Sequence, residues 1–283
     1  MLKTAYLPGL LLVVLSLLTV HPARSQGRAA PLVIGETFTL SSAALGETRR
    51  INVYLPPAYA DSATAAPLPV LYMPDGGLAE DFLHVAGLVQ VLTGNGTMRP
   101  FILVGIENTQ RRRDLTGPTT NPEDQKIAPR VGGSAAYRAF IRAELMPHIR
   151  QRYRTSPETA LVGESLAGLF VLETLLLEPS LFTTYVAFDP SVWWNQGQLV
   201  SQLEKQLRTH TGPGKTLYIG SSRDNEKIPE TQRLAMVLRK APQTSLRVHY
   251  QTLPAETHAT IYHPAALQAF RSVFQPKPTS ARK

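Results

Sequence analysis

The sequence predicts an α/β fold: a mostly parallel central sheet with helices on both faces. Three observations predict it. Residues 68–73 and 101–106 are continuous apolar runs of strand length, the pattern of strands buried on both faces. Such runs alternate with stretches of helical spacing along the chain, the order that builds a parallel sheet. Finally, in Ala160-Leu161-Val162-Gly163-Glu164-Ser165-Leu166-Ala167-Gly168-Leu169-Phe170 a short buried strand meets a tight turn and then a helix that runs on to Leu177.

The chain has 283 residues, 43% hydrophobic and 18% charged, which suits one sizeable domain with a full core. Cysteine is absent, so disulfides, thiolate metal sites, a cysteine nucleophile and an acylated lipoprotein cysteine are excluded. The formal charge of +8 favours anionic partners, yet the basic residues are scattered apart from Arg111-Arg112-Arg113 and read mainly as a solvated surface. No zinc-finger or RNA-binding signature is present, and no nucleic-acid partner is expected.

Taken in order, the chain opens with Lys3 and an apolar run over 7–20, short of the roughly 20 residues of a membrane span. Ala23-Arg24-Ser25 follows with the small residues a signal peptidase accepts. Cleavage after Ser25 is expected, an uncleaved anchor being the alternative. Removing 1–25 takes Lys3 and Arg24 away and lowers the charge from +8 to +6. The expected organisation is a signal peptide over 1–25, one domain over 26–274 and a disordered Pro-, Ser- and Lys-rich tail over 275–283. The mature chain is expected in the periplasm or outside the cell, without stable membrane insertion.

Residues 35–40 and 49–55 read as a hairpin, the second strand alternating polar and apolar before Pro56-Pro57 stops it. A surface loop over 60–67 precedes the strand at 68–73, which ends at the turn Pro74-Asp75-Gly76-Gly77. A helix follows over 82–92 and a strand over 101–106. The polar loop of 107–133 is long enough to border a site at the strand ends. A helix over 135–153, with Ser134 as its N-cap, should kink or split at Pro147. After the strand and helix around Ser165, a strand at 185–188 runs into Asp189-Pro190-Ser191-Val192-Trp193-Trp194-Asn195. Trp193 and Trp194 either wall a substrate pocket or plug a gap between loop and core. Helices over 198–208 and 229–239 alternate with strands at 216–220 and 245–250. Glu256-Thr257-His258 then precedes a last helix over 264–274.

The turn at Ser165 has the layout of a nucleophile elbow, which holds a serine hydroxyl above the sheet. Gly163 supplies the small residue two before the serine. Ala167 stands two after it, where glycine is usual, with Gly168 one step late. Serine needs a base, and the base needs an acid to set its tautomer. In the order serine, acid, histidine, the loops after the strands offer Ser165, then Asp224 or Glu226, then His258. Asp224 stands nearer its strand end, Glu226 reaches further, and Glu256 is a remote third candidate. Of the other histidines, His21 lies in the signal and His84, His148 and His210 come too early in the chain. His249 lies within a strand and His263 at the approach to the last helix. For the oxyanion, the Leu166 N–H is the expected first donor and the N–H of Gly76 or Gly77 the second.

Together these residues resemble the putative-esterase family of α/β-hydrolases, which includes enterobactin esterases, S-formylglutathione hydrolases and mycolyltransferases. The carriers are Val53-Tyr54-Leu55-Pro56, Leu71-Tyr72-Met73-Pro74-Asp75-Gly76, Val104-Gly105-Ile106, Arg111 with Arg113-Asp114-Leu115-Thr116, Gly163 to Leu169, Asp189 to Trp194, and Glu256-Thr257-His258. The likeness covers most of the mature chain and is greatest to exported enterobactin-esterase-like proteins. It implies the α/β-hydrolase fold and a serine esterase that acts on a small-molecule ester with no metal or cofactor. It also implies a basic residue for an anionic substrate, at Arg111 or Arg113, and a Ser–His pair that in some relatives works without an acid. Two positions depart from the pattern: Ala167 replaces glycine, and Glu164 replaces the histidine common before the serine in enterobactin esterases. The expected activity is cleavage of carboxylic esters through an acyl-Ser165 intermediate. An acyltransferase and a catalytically inactive binding module are the rivals, and the sequence sets no oligomeric state.

Overall fold

The computed structural model describes residues 29–60, 66–127, 129–209, 214–240 and 246–276. It divides into two units, 1–33 and 34–283, and every element below lies in the second. The expected signal segment and residues 277–283 of the expected tail lie outside the described residues.

The expected hairpin forms from β1 (Glu36–Ser42) and β2 (Glu47–Tyr54), paired antiparallel. Gly46 closes its turn at φ 65°, in the left-handed region that costs glycine little. One helical turn, α1 (Pro57–Ala60), precedes β3 (Leu68–Met73), α2 (Phe82–Gly94) and β4 (Ile102–Ile106). The polar loop after β4 carries two short helices, α3 (Arg111–Asp114) and α4 (Pro122–Lys126). The helix expected over 135–153 is indeed split. It consists of α5 (Ser134–Phe140), a π-helical turn Ile141–Leu145 and α6 (Met146–Arg152). Pro147 donates no backbone hydrogen bond and crowds the preceding turn, and the wider π turn absorbs that defect. Ser134 is the first helical residue rather than the cap, which falls on Gly133.

The second half continues with β5 (Thr155–Glu164), α7 (Leu166–Leu177) and β6 (Thr184–Phe188). Next comes α8 (Trp194–Thr209), whose start is irregular because Asn195, Gln196 and Gly197 are left-handed. Then follow β7 (Lys215–Ser222), α9 (Pro229–Arg239), β8 (Leu246–Leu253) and α10 (Tyr262–Val273).

The eight strands form one sheet in the order β1-β2-β4-β3-β5-β6-β7-β8. β3 to β8 are parallel; β2 runs against them, and β1, antiparallel to β2, runs with them. Successive residues of the central strands feed opposite layers. Val70, Tyr72, Val104 and Leu161 pack with α5 to α9. Leu71, Met73, Leu103 and Val162 pack with α2 and α10. This is the α/β-hydrolase fold expected from the sequence. The helix after the serine, α7, is buried on nearly every side, as a helix held between sheet and outer helices must be. Truncating Phe170 or Leu172 there to alanine would cost about 2–5 kcal/mol. From the first parallel strand β3 the chain builds outward to β4, then returns to lay β5 on the other side. The carboxyl ends of β3 and β5 therefore flank a topological switch point, where open α/β sheets bind ligands. Ser165 follows β5, and Asp75 follows β3.

Candidate active site

Ser165 has φ 60° and ψ −118°, a conformation that L-residues adopt only when held. Its backbone supplies the holding. The Ser165 N–H donates to the Phe188 carbonyl at 2.9 Å, and its own carbonyl accepts from the N–H of Leu169 and of Ser191. A Cβ on Gly163 would lie 2.6 Å from the Ala167 carbonyl carbon, so this position must be glycine. The second close approach falls on Gly168, where a Cβ would meet the Phe188 carbonyl oxygen at 3.0 Å. The glycine one step late thus faces β6, and the methyl of Ala167 is accommodated, fully buried, against β5.

His258 Nε2 lies 3.1 Å from Ser165 Oγ, and Nδ1 lies 3.2 Å from Asp189 Oδ2. With its proton on Nδ1 facing that carboxylate, the ring leaves Nε2 free to accept from the serine hydroxyl. Asp189 directly follows β6, has φ 40° and is 1% exposed. Its carboxylate also accepts from the Ser222 N–H at 2.7 Å and the Ser222 hydroxyl at 2.6 Å. The Asp189 hydrogen bond is the main cause that raises the His258 pKa above the ordinary histidine value; burial opposes it, and Glu164 adds to it.

This arrangement corrects the expected acid. Asp224 does not reach the ring: its Oδ2 accepts from the His258 backbone N–H at 3.3 Å, and Lys227 Nζ stands 3.6 Å from Oδ1. Glu226 instead accepts from the Tyr250 hydroxyl at 2.6 Å, and Glu256 from the Thr260 hydroxyl at 2.7 Å. The path of the loop explains this. It leaves β8, crosses the end of β7 with the Arg223 N–H bonded to the Glu256 carbonyl at 3.2 Å, and only then reaches Ser165 beyond β5. Its backbone therefore rests on the β7 loop while its ring hangs over β6.

The second expected oxyanion donor is engaged elsewhere. The Gly76 N–H donates to the Ile106 carbonyl at 3.0 Å, and a Cβ there would collide with Gly105. Glycine at 76 thus serves a close backbone crossing. The Gly77 N–H donates to Glu80 Oε2 at 2.7 Å. Leu166 is the first residue of α7, where a backbone N–H has no intrahelical acceptor.

The two expected substrate arginines part company. Arg111 is held by Asp75 through Nε at 2.7 Å and Nη2 at 2.8 Å, with its side chain 36% exposed. Its charge reaches Glu164 and His258. Arg113 makes no recorded contact with Ser165, His258 or Asp189. It pairs with Glu47 and Asp114, beside the fully buried Arg49, which bonds both carboxylates. The Arg113 hydrogen bond is the main cause that lowers the Glu47 pKa to about 2. A groove of about 660 Å³ is lined by Gln110, Arg111, Arg112, Arg113, Pro129 and Arg130. Trp194 is buried and its indole N–H donates to the Gly117 carbonyl at 3.0 Å; it also lines a cavity of about 260 Å³ with Leu169 and Asn195. Trp193 packs partly buried on the same core, with the two ring centres 6.2 Å apart.

Sequence reasoning missed Asp189 as the ring partner, Ser191 beside the serine and Glu164 beside the histidine. Ser191 Oγ lies 3.4 Å from Ser165 Oγ. Glu164 Oε1 lies 3.5 Å from His258 Nδ1, and burial, above all, raises the Glu164 pKa to about 7. The signal for Asp189 was present, since it too stands at a strand end between Ser165 and His258 in the chain.

Comparison with known proteins gives a consistent result. The chain is 27% identical over 236 residues to the ferri-bacillibactin esterase BesA of Bacillus subtilis, covering 74% of this chain and 79% of that protein. It is 32% identical over 177 residues to the siderophore triacetylfusarinine C esterase of Aspergillus fumigatus, covering 58% of each. Among solved structures it resembles an IroE-like serine hydrolase from Shewanella oneidensis, with a TM-score of 0.73 and 30% identity over 85% of this chain and 80% of that one. The sequence profile described as "Putative esterase" matches residues 42–276, and the chain belongs to that family of ester hydrolases.

Proposed function

We propose that this chain is an exported serine esterase in which Ser165 is the nucleophile, His258 the general base and Asp189 the acid that orients it. The observation that carries this reading is the unbroken contact chain from Ser165 Oγ to His258 Nε2 at 3.1 Å and from Nδ1 to Asp189 at 3.2 Å. In acylation, Ser165 Oγ attacks the ester carbonyl carbon while His258 Nε2 takes the hydroxyl proton. The charge that develops on the carbonyl oxygen is stabilised by the Leu166 N–H at the start of α7. Collapse breaks the bond to the alcohol, which leaves with the proton held by His258. Water then attacks the acyl-serine, gives a proton to the same nitrogen, and releases the carboxylic acid with the serine restored.

Two features favour a siderophore-type ester as substrate. The relatives at hand are named for siderophore hydrolysis. The groove beside Arg111, with Arg112 and Arg130, offers positive charge to an anionic ligand. Export rests on the apolar segment at 7–20 and the small residues before Gln26.

The decisive test is intact-mass spectrometry of residues 26–283 after fluorophosphonate treatment, with Ser165→Ala and His258→Ala alongside. One adduct that disappears in both variants is expected; an adduct retained by Ser165→Ala would refute the assignment. A panel running from short acyl esters to ferric and iron-free siderophores then sets the substrate. The N-terminal mass of protein recovered outside the cytoplasm tests cleavage after Ser25.

A further inference from the structure

We propose that Glu164 is a positioning residue: a second carboxyl partner of His258 that shares the Nδ1 side of the ring with Asp189 and tunes how strongly the base holds its proton. The inference rests on the serine-esterase reading above.

The geometry comes first. Glu164 is the last residue of β5, so its backbone is held in the sheet, one residue before the nucleophile. Its Oε1 lies 3.5 Å from His258 Nδ1, against 3.2 Å for Asp189 Oδ2. Oε1 is buried and makes no hydrogen bond. A buried carboxyl oxygen without a partner is costly, and such atoms in a folded protein call for an explanation. Among the described residues, Nδ1 is the ring or cationic nitrogen recorded within ion-pair reach of that oxygen. A small rotation of the imidazole would redirect the Nδ1–H hydrogen bond from one carboxylate to the other.

The electrostatics agree. Glu164 is faced by His258 from the loop after β8, Asp189 from the end of β6, Arg111 from α3 and Asp75 from the turn after β3. Two carboxylates beside one neutral imidazole repel each other, so one tends to keep its proton. Burial and Asp189 push Glu164 towards that role, with a pKa of about 7, while His258 and Arg111 oppose it. Glu164 and His258 therefore titrate as a coupled pair. When the ring gains a proton from Ser165 in the reaction, an ionised Glu164 adds a second negative charge beside the imidazolium. When Glu164 is protonated, Asp189 alone does so.

The pH dependence of p-nitrophenyl acetate hydrolysis tests this, with wild type, Glu164→Gln, Asp189→Ala and the double variant compared. Glu164→Gln is expected to lower kcat about 3–10-fold at pH 8.5 and less than about twofold at pH 6, with KM unchanged. Its acid limb should move to lower pH. Asp189→Ala should retain residual activity that falls at least about tenfold further when Glu164→Gln is added, because the second carboxyl then holds the ring. A Glu164→Gln profile that superimposes on the wild type, or an effect confined to KM, would overturn the proposal. A second measurement needs no change at position 164. In the Ser165→Ala protein, the NMR signal of the His258 ring should titrate in two steps, and a single step would overturn the proposal. If Ser165→Ala itself retained full hydrolysis, the serine-esterase reading would fail instead, so the two failures are distinguishable.

Discussion

The loops after β6 and β7 each present an aspartate to the turn that carries His258, and the two do different work. Asp189 is 1% exposed, left-handed, and fixed by the N–H and hydroxyl of Ser222 before it meets the imidazole. The Asp224 side chain is 45% exposed and accepts from the backbone of the same histidine. One aspartate faces the ring and the other supports the turn. Their positions relative to the strand ends are nearly alike, so residue type and chain order do not separate them. What separates them is which strand lies beneath the imidazole.

The largest effects set the floor for that contrast. Ser165→Ala and His258→Ala should each lower kcat for a good ester at least about 10³-fold, read by steady-state rates on folded protein. Asp189→Asn should come next, with a loss of about 10²–10⁴-fold in kcat, whereas Asp224→Asn should cost less than about fivefold. Equal losses in the two asparagine variants would erase the distinction between the loops. The pH profile sharpens it. Catalysis needs a neutral ring, and the Asp189 bond raises the pKa of that ring above the usual 6.5. Wild-type kcat/KM should therefore fall as the pH drops through that raised value. Asp189→Asn should move the limb to lower pH, and Asp224→Asn should leave it in place.

A smaller effect concerns stability. The Glu164 carboxyl has its pKa raised from 4.5 to about 7, so the folded state holds this proton more tightly than the unfolded chain does. Stability is then lost as the pH rises from about 4.5 to about 7, and the loss is complete above that range. Glu164→Gln should abolish this loss, making the variant more stable than wild type by roughly 1–3 kcal/mol at pH 8 but not at pH 4. Denaturant titrations at the two pH values would show it; an equal difference at both would count against a buried, proton-holding carboxyl. The smallest expected effect is Trp194→Phe. It removes one buried hydrogen bond to Gly117 and should cost about 1–2 kcal/mol in the same titration, with kcat barely changed.

The sheet was legible because parallel strands buried on both faces must be apolar throughout, as at 68–73 and 102–106. The turn at Ser165 was legible for a related reason. A strand, a turn and a helix in immediate succession leave room only for small residues at Gly163 and Gly168. The place of His258 beyond the last strand was legible from the strand and helix patterns on either side of it. Arg111 and Arg113 look alike in the sequence, yet Arg111 pairs with Asp75. Two residues along a short helix turn the side chain through more than half a circle, and Arg113 meets Glu47 and Asp114 instead. Gly76 misled because a glycine that permits a close backbone crossing looks, in sequence, like one that offers its N–H to a ligand.

By itself, then, the sequence determined the layered α/β architecture, the strand–turn–helix at Ser165 and the place of His258 beyond the last strand. These depend on local stereochemistry and on hydrophobic pattern, which neighbouring residues carry. Only the tertiary structure decided that Asp189, and not Asp224, meets the imidazole, that Glu164 stands beside it, and that Arg113 pairs with Glu47 and Asp114. Those choices depend on how a loop leaving β8 crosses β7 to reach β5. The path of a loop over strands far apart in sequence is a property of the packed molecule.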